Sequence, residues 1–113
     1  MNDEKLVVMW TSRDRDIALQ VAFLYTLNSK LRNWWEDVTF IVWGPSSKVL
    51  CEDPELQSFI PKMIEEGITV EACRKCSDNY GVSEKLEEMN IDVKYMGEPL
   101  TGYIKEGRKI LTF

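Results

Sequence analysis

The sequence predicts an α/β fold: a three-layer α/β/α sandwich around a mostly parallel five-stranded sheet. Three observations predict it. Short, almost continuous apolar runs recur along the chain, as expected for strands buried on both faces. Segments with apolar residues at helical spacing separate them, which is the pattern of βαβ units. Gly, Pro and helix-capping residues stand at the joins. The 113 residues suit one hydrophobic core. There is no internal repeat, linker or low-complexity segment, so residues 1–113 read as one domain.

The elements follow in order. The run Lys5-Leu6-Val7-Val8-Met9-Trp10 is the first strand. Thr11-Ser12-Arg13-Asp14 supplies turn and cap residues, and a long helix without internal Gly or Pro follows to about Arg32. Val38 to Trp43 is the second strand, stopped by Gly44-Pro45, and Ser46 to Leu50 forms a brief helical turn. Asp53-Pro54 starts another helix, an N-cap followed by proline at the first helical position. Pro61 should kink or split that helix, and Gly67 closes it. Ile68 to Ala72 is the third strand and leads straight into Cys73. Residues 74–80 make a short helix ended by Gly81, and Ser83 caps a second one. Val93 to Met96 is a fourth, weaker strand. Glu98-Pro99 opens a last helix carrying Leu100, Tyr103 and Ile104 and ended by Gly107. Lys109 to Phe113 is the fifth strand, expected to be tied into the sheet because Ile110, Leu111 and Phe113 need burial. The sequence does not determine the strand order.

The first helix carries more. Ile17, Val21, Leu24 and Leu31 trace one apolar stripe, while Ala18, Leu19, Ala22, Phe23, Tyr25 and Leu27 fill much of the remaining surface. A helix apolar nearly all round is buried nearly all round. Either its stripe is a broad core face with some exposed apolar surface, or it meets another subunit. Trp34 and Trp35 at its end favour the interface, since tryptophan is enriched in such patches. A homo-oligomer is therefore expected.

Composition excludes several classes. A net charge of -5 works against binding phosphate backbones or anionic membranes. No apolar run has the length of a membrane span, and the Met1-Asn2-Asp3-Glu4-Lys5 start is unlike a secretory leader, so a cytoplasmic location is expected. There three cysteines stay reduced. The absence of histidine removes imidazole as a base and as a metal ligand.

In parallel α/β sheets the chemistry gathers at the carboxyl ends of the strands. Only one loop there holds a strong nucleophile: Cys73-Arg74-Lys75-Cys76. Both thiols fall at the start of a helix, whose dipole favours thiolate, and Arg74 and Lys75 are expected to add positive charge. A zinc site needs four ligands, and no second pair is present, so neither metal nor cofactor is expected. Cys51, just before Asp53-Pro54, reads as a packing residue. Thr11 and Ser12 could offer hydroxyls and amides to an anion, although an ordinary capping segment is the preferred reading. They lack the glycines of a nucleotide-binding loop. Two buried, inert cysteines are the plain alternative for the pair.

The stretch from Val70 through Cys73 and Cys76 to Gly81-Val82 resembles the DsrE/DsrF-like family. So do the short first strand with its polar loop, the Asp-Pro-Glu-Leu helix start and the closing Gly-Arg-Lys-Ile-Leu-Thr-Phe. The resemblance implies a DsrEFH-like parallel sandwich assembled as trimers or hexamers. It also implies that Cys73 accepts sulfur as a persulfide and passes it on, between a donor and an acceptor protein. Cys76 is an additional thiol seen in some relatives. Two other readings stand beside a sulfur carrier. One is a C-x-x-C thiol-disulfide protein in which Cys73 attacks and Cys76 resolves. The other is a small-ligand-binding oligomer without thiol chemistry.

Overall fold

The computed structural model describes residues 4–113; Met1 to Asp3, part of the reading of the amino terminus, lie outside the described residues. Five strands form one sheet: β1 (Lys5–Trp10), β2 (Asp37–Val42), β3 (Thr69–Cys73), β4 (Asp92–Lys94) and β5 (Lys109–Thr112). All neighbours are parallel, in the order β4-β3-β2-β1-β5. The fourth strand is shorter than expected, ending before Tyr95 and Met96.

The first helical segment runs from α1 (Arg15–Ile17) through a π-turn (Ala18–Ala22) into α2 (Phe23–Leu31), capped by Asp14, which accepts from the Ile17 amide at 3.1 Å. Then come α3 (Ser46–Glu52), α4 (Pro54–Gln57) and α5 (Phe59–Glu65). The Asp53 carboxylate accepts from the amides of Glu55 and Leu56, capping α4. Pro61 has no N–H for the Gln57 carbonyl and its ring crowds that carbonyl, so the helix is split at Ser58, just after Gln57. Next are α6 (Arg74–Tyr80), closed by Gly81 in the left-handed region, α7 (Ser83–Glu88) and α8 (Gly97–Lys105). Ser83 does not cap α7. Its hydroxyl bonds Ser77 and Asp78 instead. Among the described residues no helix is long and apolar enough to cross a membrane.

The strand order makes the two outer layers unequal. From β1 to β4 each crossover steps the same way, and right-handed crossovers then put every intervening helix on one face. The return from β4 to β5 passes the other way and places α8 alone on the second face. The core divides accordingly. Leu6, Val8, Trp10, Val38, Phe40, Val42, Val70, Ala72 and Val93 point into the large core with Ala18, Ala22, Phe23, Leu50, Ile60, Met63 and Leu86. Val7, Ile41 and Cys73 point the other way, into a small cluster with Met96, Leu100 and Tyr103 at α8.

Two expectations change. The core side of the first helix is Ala18, Ala22, Phe23, Thr26 and Ser29. The stripe of Ile17, Val21, Leu24 and Leu31 is its outer, exposed side, continued by Trp34. Apart from Phe23 the core side is made of small residues, which let the helix lie close to the sheet. At the other end of the chain, β5 is tied to β1, and the Phe113 amide donates to the Met9 carbonyl at 2.7 Å. Leu111 is nevertheless 39% exposed, because an edge strand has a neighbour on one side only.

Candidate functional site

Cys73 ends β3 and is the N-cap of α6, with extended backbone (φ -73°, ψ 116°). Its sulfur takes the place that a serine or aspartate oxygen takes in an ordinary cap: the Cys76 amide points at Sγ from 3.5 Å. The Cys76 Sγ lies 3.0 Å from the Cys73 Sγ. Cys73 is buried and Cys76 half-buried, and neither is in a disulfide. Burial pushes the Cys76 thiol up from its ordinary range, and the neighbouring Cys73 sulfur adds to the rise, while the amides of Gly44 and of Cys76 itself oppose it. The expectation that the helix start lowers both thiols does not hold for Cys76, because desolvation is the larger effect there.

Gly44, read from the sequence only as the stop of the second strand, belongs to the site as well. Its φ of 76° requires the left-handed region, and a Cβ there would stand 3.8 Å from the Thr11 carbonyl oxygen. The loop after β1 therefore lies against the loop after β2, whose amide reaches the thiol pair. Trp43 and Met96 join Cys73 and Cys76 in the same small cluster.

The expected binding residues separate. The Thr11 amide and hydroxyl both donate to the Phe113 carbonyl, so Thr11 fastens the end of the chain. Ser12 Oγ is buried without a hydrogen-bond partner. Arg74 does not offer a free charge to the sulfurs. Its guanidinium bonds the Val93 carbonyl at 2.9 Å and Glu87 at 3.3 Å, with Asp78 at 4.0 Å. Two carboxylates on α6 and α7 match it, and it ties these helices to β4. Lys75 is exposed.

A buried polar group on the thiol face was not anticipated. Glu71, two residues before Cys73 on β3, is only 2% exposed. It pairs with Lys94 Nζ at 2.6 Å and accepts from the Tyr103 hydroxyl of α8 at 2.7 Å. Lys94 is the register partner of Cys73 and also reaches Asp92 at 2.9 Å. Burial, then the Glu71 carboxylate, push the Tyr103 hydroxyl up to about 12, so it remains a donor throughout the neutral range. The Arg108 guanidinium lies over the Tyr103 ring at 4.3 Å. One signal was available in the sequence: a glutamate inside a strand that ends in the nucleophile.

Other features lie elsewhere. A cleft of about 480 Å³ is lined by Gln57, Pro61, Ile64, Glu65, Met89 and Asn90, among others. It sits where α5 and α7 lead into β3 and β4, at the amino ends of the strands and away from the thiols. Cys51 is buried in the large core, where desolvation raises its thiol. Among the described residues no group of three or more Cys, Asp or Glu side chains gathers that could hold a metal ion.

Comparison with known proteins bears on this arrangement. The model of the DsrE/DsrF-like family matches residues 6–113. A conserved protein of unknown function from Bacteroides thetaiotaomicron has a similar structure, with 42% identity, a TM-score of 0.93, and 97% of this chain and 95% of that one covered. The ychN protein of E. coli is similar in fold at 14% identity and a TM-score of 0.74, covering 98% and 99% of the two chains. A protein of unknown function from Methanobacterium thermoautotrophicum is likewise similar in fold, with 20% identity, a TM-score of 0.74, and 98% and 100% covered. No curated protein matches. With the family model spanning both the parallel sheet and the thiol pair, the chain belongs to the DsrE/DsrF-like family, which in general is sulfur-relay-like.

Proposed function

We propose that this protein carries sulfane sulfur as a persulfide on Cys73. The observation that supports the reading is the placement of Cys73 at the carboxyl end of β3, its sulfur facing the Cys76 amide and lying 3.0 Å from a second sulfur. In the transfer, the Cys73 thiolate attacks the terminal sulfur of a donor persulfide. The donor S–S bond breaks, the donor thiolate leaves, and Cys73 holds the persulfide, with no net oxidation. An acceptor thiolate then attacks the terminal sulfur and Cys73 leaves as thiolate. The Cys76 amide faces the Cys73 sulfur at 3.5 Å, and with no histidine in the chain no imidazole assists. Incubation with a cysteine desulfurase and cysteine, followed by intact mass without reductant, tests this. Wild type should gain one sulfur, Cys76→Ser should gain it too, and Cys73→Ser should gain none. Uptake by Cys73→Ser equal to that of wild type rules Cys73 out as the carrier.

The second reading is dithiol–disulfide exchange, favoured by the same 3.0 Å approach. Its signature in that experiment is a loss of two hydrogens with no gain of sulfur. We also propose that the chain self-associates, as a trimer or a multiple of it, through the outer face of α1 and α2. Ile17, Val21, Leu24, Leu31 and Trp34 are each 40–51% exposed there, an apolar row that water disfavours. Sedimentation at micromolar concentration should give a multiple of the 13.2 kDa chain mass, and a monomer would end this part of the proposal.

A further inference from the structure

We propose that α8 is a lid over Cys73, latched by the hydrogen bond from Tyr103 to Glu71. A carrier thiol must meet another protein's sulfur, yet Cys73 is 4% exposed. Something has to move before it reacts, and the two faces of the sheet differ in how readily they part. On the far face the helices from α1 to α7 enclose the large core. On the thiol face α8 lies over a small cluster in which Met96, Trp43 and Cys76 also pack with Cys73, and none of its nine residues is buried.

Its hold on the sheet is small and partly polar. Leu100 and Tyr103 are its half-buried apolar contacts in the cluster that contains Cys73 and Cys76. The polar hold is the Tyr103 hydroxyl on Glu71 at 2.7 Å, steadied by Arg108 over the ring and by Arg108 reaching Thr39 at 3.5 Å. Glu71 stays in place when Tyr103 leaves, because Lys94 binds it independently. The helix starts at Gly97 and is followed by Gly107 at φ 86°, and a Cβ at either would meet nothing within 4 Å. Raising α8 thus opens the small cluster and leaves the large core closed, which is the character of a local opening well below the cost of unfolding.

The proposal rests on Cys73 as the working thiol, but alkylation needs no sulfur donor, so a failed lid and a failed carrier show in different experiments. The test measures iodoacetamide modification in a Cys76→Ser background, where Cys73 and Cys51 are the two remaining thiols. Cys51 lies in the large core and reports global opening. When the lid moves faster than the reagent reacts, the rate follows the open population. Removing one hydrogen bond to a carboxylate should raise that population roughly tenfold. Tyr103→Phe is therefore expected to speed modification of Cys73 about tenfold and to leave Cys51 unchanged. Leu100→Ala, which weakens the apolar anchor of the same helix, should act in the same direction. An unchanged Cys73 rate in both variants overturns the lid. A parallel rise at Cys51 overturns it too, because the whole fold has then loosened.

Discussion

Truncation of Phe23 to alanine is expected to cost about 3–5 kcal/mol of stability and to lower the unfolding midpoint by roughly 12–20 °C for a chain of this size. The magnitude follows from where the ring sits. Phe23 is fully buried on the sheet side of α2. It makes edge-to-face contacts with Trp10 at 4.9 Å, Phe40 at 5.0 Å and Phe59 at 5.6 Å, joining β1, β2, α2 and α5. Trp10 and Phe40 are themselves fully buried and cannot close the space, so the transfer loss and the cavity cost add. Tyr95→Ala removes a ring of similar size from a position that is 66% exposed and should stay within about 0.5 kcal/mol. Thermal unfolding of the two variants at one protein concentration checks the contrast. Equal midpoints would mean that this aromatic cluster is not the keystone of the large core.

Much of this architecture could be read from the chain. The strands could be read because each is a short apolar run bounded by breakers, and Pro61, Asp53 and Gly81 act as local rules say. What escaped depends on neighbours distant in sequence. The order β4-β3-β2-β1-β5 is a property of the whole sheet, and with it goes the unequal layering that leaves α8 alone above the thiol face. The first helix shows why apolarity alone misleads. Its bulkiest stripe lies outside, and the inner side uses Thr26 and Ser29, whose hydroxyls bond backbone carbonyls of their own helix at 2.6 Å. Arg74 was placed beside the thiols by sequence proximity, but its partners Glu87 and Val93 come from later elements. Cys73 itself could be read as a strand-end nucleophile. Its burial, the Gly44 amide and the Tyr103 latch could not, since each arises from a different loop or helix folding back on the same edge.

The Glu71–Lys94 pair should show the largest single electrostatic effect. Lys94→Met is expected to destabilise the protein by about 2–3 kcal/mol. Removing one partner of a buried pair typically costs about 3–5 kcal/mol. The lower range applies because the Lys94 side chain is 38% exposed and water can take part of its place. What remains in Lys94→Met is a carboxylate 3% exposed, with the Tyr103 hydroxyl as its surviving partner. The double variant Glu71→Gln/Lys94→Met removes both charges and should recover most of the loss, because the penalty comes from the unmatched charge and not from the missing contact. Urea unfolding with an unchanged slope gives the comparison. If the double variant is no more stable than Lys94→Met, burial of an unpaired charge is not the reason for the loss. The pair also bears on the thiol. Lys94 is the register neighbour of Cys73, and Glu71 stands two residues before it on the same face. A charge pair spanning β3 and β4 therefore fixes the edge on which Cys73 sits, while its second acceptor oxygen holds Tyr103 and with it the helix above. One carboxylate joins the rigid side of the site to the side proposed to move.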